Sequence, residues 1–141
     1  MEIVIENLTK RYGPQKAVDN ISLKVATGEI IGFLGPNGAG KTTTMKIITG
    51  YIAADEGDVF IGGKAVRDNS VELKKLIGYL PENNPLYHDM PVIDYLEFCA
   101  RIQGIGKDRV ENRVAEMIRI TGLNREKHKK IGELSKGYRQ R

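Results

Sequence analysis

The chain has 141 residues, 40% hydrophobic and 28% charged, with 22 Lys and Arg against 18 Asp and Glu and a net charge of +4. That length suits one domain with a real core, and no run approaches the ~18 apolar residues that span a bilayer. The single cysteine, Cys99, excludes an internal disulfide framework and suits a reducing compartment, and MEIVIENLTKRYG lacks the basic start and apolar core of a secretion signal.

Residues 2–8, EIVIENL, alternate as a half-buried strand does, and RYGPQKA turns around Gly13 and Pro14. ISLKV, 21–25, predicts a second short strand, and Thr27–Gly28 another turn. IIGFLG, 30–35, is apolar on both faces, the pattern of a strand buried in a parallel sheet. A glycine loop and a helix over about 40–50 follow, with Ile47 and Ile48 facing inward. DVFIGG, 58–63, predicts a strand with a hairpin at Gly62–Gly63, and the apolar LIGYL ends at Pro81. The texture then changes. PENNPLY is loop-forming, and a helix over 92–103 starts near Pro91. A second helix, 108–121, puts Val110, Val114, Met117, Ile118 and Thr121 on one stripe and stops at Gly122. The expected division is a strand-rich core over 1–82 and a helical subdomain over 83–141.

The segment GPNGAGKT, 35–42, fits G-x-x-x-x-G-K-[ST] between a predicted strand and a predicted helix, which is the context that motif requires. Gly35, Gly38 and Gly40 let backbone N–H groups converge without Cβ obstruction, and Pro36, Asn37 and Ala39 complete the loop. The helix starting near Gly40 aims its positive end at the same point. Lys41 would reach the β- and γ-phosphates of a nucleotide, the Thr42 hydroxyl would join a magnesium shell, and Thr43 continues the site. A glycine-rich turn with an incidental lysine is the alternative, and the flanking elements argue against it.

GPNGAGKTTT, the upstream RYG, the later IGYLPE and the terminal LSKGY occur in an order and spacing that resemble the ATP-binding subunit of an ABC transporter, over essentially the whole chain. The resemblance implies an α/β fold: a P-loop NTPase core with a parallel sheet, an N-terminal antiparallel β subdomain and a helical subdomain. It implies ATP and Mg2+ as ligands, and adenine stacked on Tyr12. Glu82 falls where the family usually has a glutamine that meets magnesium and the attacking water. A carboxylate there can still bind the metal but offers no amide donor. It resembles the exporter-like subset of drug, sodium and gliding-motility systems. LSKGY is similar to the family signature LSGGQ, with Lys136 and Tyr138 as departures. By resemblance, Ser135 and Gly137 face the γ-phosphate of a second subunit in a head-to-tail dimer.

The same resemblance implies membrane-spanning partner subunits and a peripheral place on the cytoplasmic face of the cell membrane. It also implies a piece of a longer ATPase, because no apolar run ending in Asp-Glu is expected after residue 41. Lys41 and Glu82 are then the catalytic candidates, and this chain alone is expected to be inactive. A soluble ABC-type ATPase acting on nucleic acid or ribosomes is the competing reading. Residues 125–141 hold seven basic and two acidic side chains, which could signal such a partner. They lack the interleaved aromatics of a stacking platform, so a solvated helix face is preferred. His88, His128 and Cys99 read as structural or surface residues.

Overall fold

The computed structural model describes residues 1–83 and 85–141. The chain divides into two compact units, Met1–Tyr79 and Leu80–Arg141.

In the first unit, strands β1 (Ile3–Tyr12), β2 (Gln15–Val25), β3 (Glu56–Ile61) and β4 (Lys64–Ala65) form a four-stranded sheet in the order β2-β1-β3-β4. Every pairing in it is antiparallel. Gly13 (φ 58°) and Pro14 close the first hairpin in two residues, so β2 starts earlier than the sequence pattern predicts. Gly62 and Gly63, at φ 58° and 78°, make the β3–β4 turn. Bulges interrupt β1, and two asparagines absorb the irregularity: Asn7 and Asn20 both sit at φ 49°. The Asn7 N–H donates to the Ser22 hydroxyl at 2.9 Å and the Asn20 N–H to the Thr9 hydroxyl at 3.0 Å. The bulges therefore leave neither donor unpaired.

Helix α1 (Lys41–Ile48) turns Ile47 into a core with Ile5, Leu8, Val18, Val59 and Ile61, joined by Leu73 of α2 (Ser70–Lys74). Burying each of these side chains contributes about 1.5–3 kcal/mol.

Residues 30–35 form no strand. Ile30 is 98% and Leu34 92% exposed. A strand of this kind takes its ladder bonds and its cover from parallel neighbours. The four strands among the described residues pair only with one another, so the predicted parallel sheet is not assembled from them.

In the second unit, helices α3 (Val92–Ile102) and α4 (Lys107–Ile120) pack through Val92 and Ala100 against Val110, Val114 and Ile118. Gly122, at φ 69°, follows the end of α4 as the sequence predicts. Pro91 cannot donate, and no side chain caps α3. Two of the helix's first N–H groups instead find carbonyls in the basic segment: Val92 donates to Lys129 at 3.1 Å and Ile93 to Lys127 at 2.9 Å. Leu123, Ile131 and Leu134 seal this core and deliver the chain to a short helix, α5 (Lys136–Arg139).

Candidate functional site

The glycine loop is exposed over 35–39, half-buried at Gly40, and runs into α1 at Lys41. Gly38 and Gly40 take φ 86° and 82°, backbone that L side chains adopt only with strain. Gly40 has a second constraint. A Cβ there would lie 2.1 Å from the Ala17 carbonyl oxygen and 3.2 Å from Val18, so β2 backs the loop too closely for any side chain. At Gly38 a Cβ would meet nothing within 4 Å. The Thr44 hydroxyl, buried, donates to the Gly40 carbonyl at 3.0 Å and fixes the first turn of α1.

The Lys41 ammonium donates to the Gly35 carbonyl at 2.5 Å and the Pro36 carbonyl at 2.7 Å. Its charge is held by carbonyl dipoles of the loop. An anion entering the loop meets that charge, the exposed Thr42 hydroxyl and the positive end of α1, which has no acidic residue in its first turn.

Tyr12, 54% exposed, ends β1 and pairs with Gln15 across the hairpin. Ala17, two residues further along β2, is the residue against Gly40, so the hairpin and the loop belong to one body. Just before Tyr12 the strand is clamped. The Lys10 ammonium donates to Asp55 at 2.8 Å, the Arg11 N–H to the same carboxylate at 2.6 Å, and the Arg11 guanidinium to Glu56 at 2.6 Å. The Lys10 hydrogen bond, with the Arg11 N–H, holds the Asp55 carboxyl below the usual aspartate range. Glu56 raises the Arg11 guanidinium further. These contacts correct one expectation. A short apolar run, Ile52–Ala54, does precede an Asp-Glu pair after residue 41, but its carboxylates are engaged by Lys10 and Arg11.

Glu82, Ser135 and Gly137 lie in the second unit. The Ser135 hydroxyl caps α5 by accepting from the Tyr138 N–H at 3.3 Å, and a Cβ at Gly137 would stand in ordinary contact with that same hydroxyl oxygen, at 3.9 Å. Gln140 donates its side-chain amide to the Glu82 carbonyl at 2.5 Å, so the signature-like segment and the Glu82 segment are joined. Sequence reasoning missed this link and the Ala17–Gly40 contact. Both span long sequence separations and carry no periodic or motif signal.

A family model described as "ABC transporter" matches residues 18–141. The chain belongs to the ABC transporter family. Relatives in that family include an ABC transporter ATP-binding protein of Methanocaldococcus jannaschii, 41% identical over 99% of this chain and 49% of its own length. A bacitracin transport ATP-binding protein of Bacillus licheniformis is 39% identical over 96% of this chain and 43% of its own length. The chain thus spans about half the length of the curated relatives it matches. A solved ATP-binding subunit of an ABC transporter superposes with a TM-score of 0.82 at 27% identity, covering 99% of this chain and 58% of that one. Among the described residues no helix is long and apolar enough to cross a membrane.

Proposed function

We propose that this chain is the nucleotide-gripping part of an ABC transporter ATPase subunit. The observation that carries the reading is the Lys41 ammonium at the start of α1, held against the glycine loop by two of the loop's own backbone carbonyls. A polyphosphate replaces those carbonyls as the partner of the ammonium, while the loop amides and α1 take up the remaining charge. Tyr12 supplies an exposed ring for adenine, at the end of a strand clamped by Asp55 and Glu56.

Magnesium fits the donor set as an ion held chiefly by nucleotide oxygens and water. Thr42 offers one hydroxyl, and no cluster of three or more His, Cys, Asp or Glu occurs among the described residues. Thr42 would hold the ion, which would neutralise charge developing on the phosphates. Ser135 and Gly137 face the nucleotide of a second subunit in this reading, and membrane-spanning partners receive the work of the cycle at the cytoplasmic face.

The protein at its natural length is expected to release phosphate from ATP in a manner abolished by Lys41→Ala. Residues 1–141 alone are expected to turn over negligibly, because positioned proton transfer to orient the water is worth about 10²–10⁴-fold. Phosphate release at natural length that survives Lys41→Ala contradicts the reading.

A further inference from the structure

Strand β1 outruns one of its neighbours. Its pairing with β3 ends at Thr9 opposite Glu56, so Lys10, Arg11 and Tyr12 extend past the last residue of β3. On the other side, β2 follows β1 to Tyr12, with a register shift between Lys10 and Arg11. The hairpin tip that carries Tyr12 therefore has a strand on one side only. The Tyr12 ring is exposed, so packing does little to fix its direction and the backbone beneath it has to.

Asp55 stands where a longer β3 would continue. Its N–H donates to the Thr9 carbonyl at 3.0 Å, and its Oδ2 accepts the Arg11 N–H at 2.6 Å. Together these supply the donor and the acceptor that a further strand residue would offer to that edge. Its Oδ1 accepts from the Lys10 ammonium at 2.8 Å. The Lys10 side chain is only 16% exposed, so the pair is not a loose surface contact. Both carboxylate oxygens are thus engaged by consecutive residues of β1, directly before Tyr12. The segment that carries the carboxylate is itself rooted, because Ile52 and Ala54 pack against the core of the first unit. A hydrogen bond to a charged acceptor is about twice as strong as a neutral one, which suits one side chain standing in for a strand.

We propose that Asp55 is a positioning residue for the nucleotide base, holding the tip of the first hairpin so that the Tyr12 ring is set for stacking before the ligand arrives. This role rests on the reading of Tyr12 as the adenine platform, and it falls to a residue outside every motif in the sequence. In this role Asp55 touches neither base nor phosphate. Without it the tip is ordered only on binding, and that ordering is subtracted from affinity. The loss falls on ligands that carry a base and spares those that do not.

Calorimetric titration of the protein at its natural length with ATP and with inorganic tripolyphosphate, both with magnesium, separates base-dependent from phosphate-dependent binding. Asp55→Ala should weaken ATP binding about threefold, the scale of a partly exposed charge pair, and leave tripolyphosphate affinity unchanged. Asp55→Asn keeps an acceptor for the Arg11 N–H but no charge for Lys10, and should fall between. In a Tyr12→Ala background, Asp55→Ala should bring no further loss of ATP affinity. Tripolyphosphate binding that survives Lys41→Ala overturns the nucleotide reading and this role with it. With that Lys41 dependence intact, three results overturn the role of Asp55 alone. They are equal loss of both ligands in Asp55→Ala, unchanged ATP affinity, and a full additional loss in the Tyr12→Ala background.

Discussion

At the residue scale, the two loop glycines that look equivalent in the sequence are not. Gly38→Ala incurs only the left-handed backbone cost, about 1–2 kcal/mol, because nothing lies within 4 Å of the added carbon. Gly40→Ala incurs the same cost and drives a methyl to 2.1 Å from the Ala17 oxygen. Nucleotide affinity should therefore survive Gly38→Ala with a modest loss and disappear in Gly40→Ala, as measured by titration of both variants. Equal losses would mean that β2 does not back the loop.

Tyr12 contributes through its ring. Tyr12→Phe should bind nearly as well as the parent, and Tyr12→Ala should be weaker by about 1 kcal/mol or more, the scale of base–aromatic stacking. Undiminished binding by Tyr12→Ala would place the base elsewhere. Asp55 makes a pH prediction. Its folded pKa is lowered by Lys10 and the Arg11 N–H, so its contribution is present above the ordinary aspartate value near 3.8 and lost as pH falls through the folded value. Asp55→Asn should flatten the fall in thermal stability below about pH 4. An unchanged acid limb would contradict the clamp.

Elements differ in how much of them a sequence discloses. Helices α3 and α4 were legible because the stripe Val110, Val114 and Ile118 and the stop at Gly122 are local signals, and the same residues are buried in the structure. The β3–β4 hairpin was legible from Gly62–Gly63. The glycine loop was legible because its motif is contiguous. Residues 30–35 were read as a buried strand on equally local grounds, and their composition does suit one. A strand, however, exists only where partners supply its ladder, and that information is not in the segment itself. The bulges at Asn7 and Asn20 escaped for a related reason: their support, the hydroxyls of Ser22 and Thr9, comes from across the sheet. The Gln140–Glu82 link spans 58 positions and has no sequence signature at all.

At the scale of the whole molecule, one feature dominates solution behaviour. Ile30 and Leu34 present nearly bare side chains on a continuous apolar stretch, a surface that soluble monomers seldom leave uncovered. Residues 1–141 expressed alone should self-associate or melt without a sharp transition. Sedimentation and calorimetry showing a cooperatively melting monomer would contradict that. The most direct test of the central claim, that Lys41 over the loop 35–43 is the nucleotide grip, is titration with a fluorescent ATP analogue at natural length. Lys41 donates to two carbonyls of the loop, and exchanging them for phosphate oxygens makes the expected net loss about 1.5 kcal/mol, the low end for a charged hydrogen bond. Lys41→Ala should thus weaken binding about tenfold in a variant whose fold is intact; affinity equal to that of the unsubstituted protein would contradict the account.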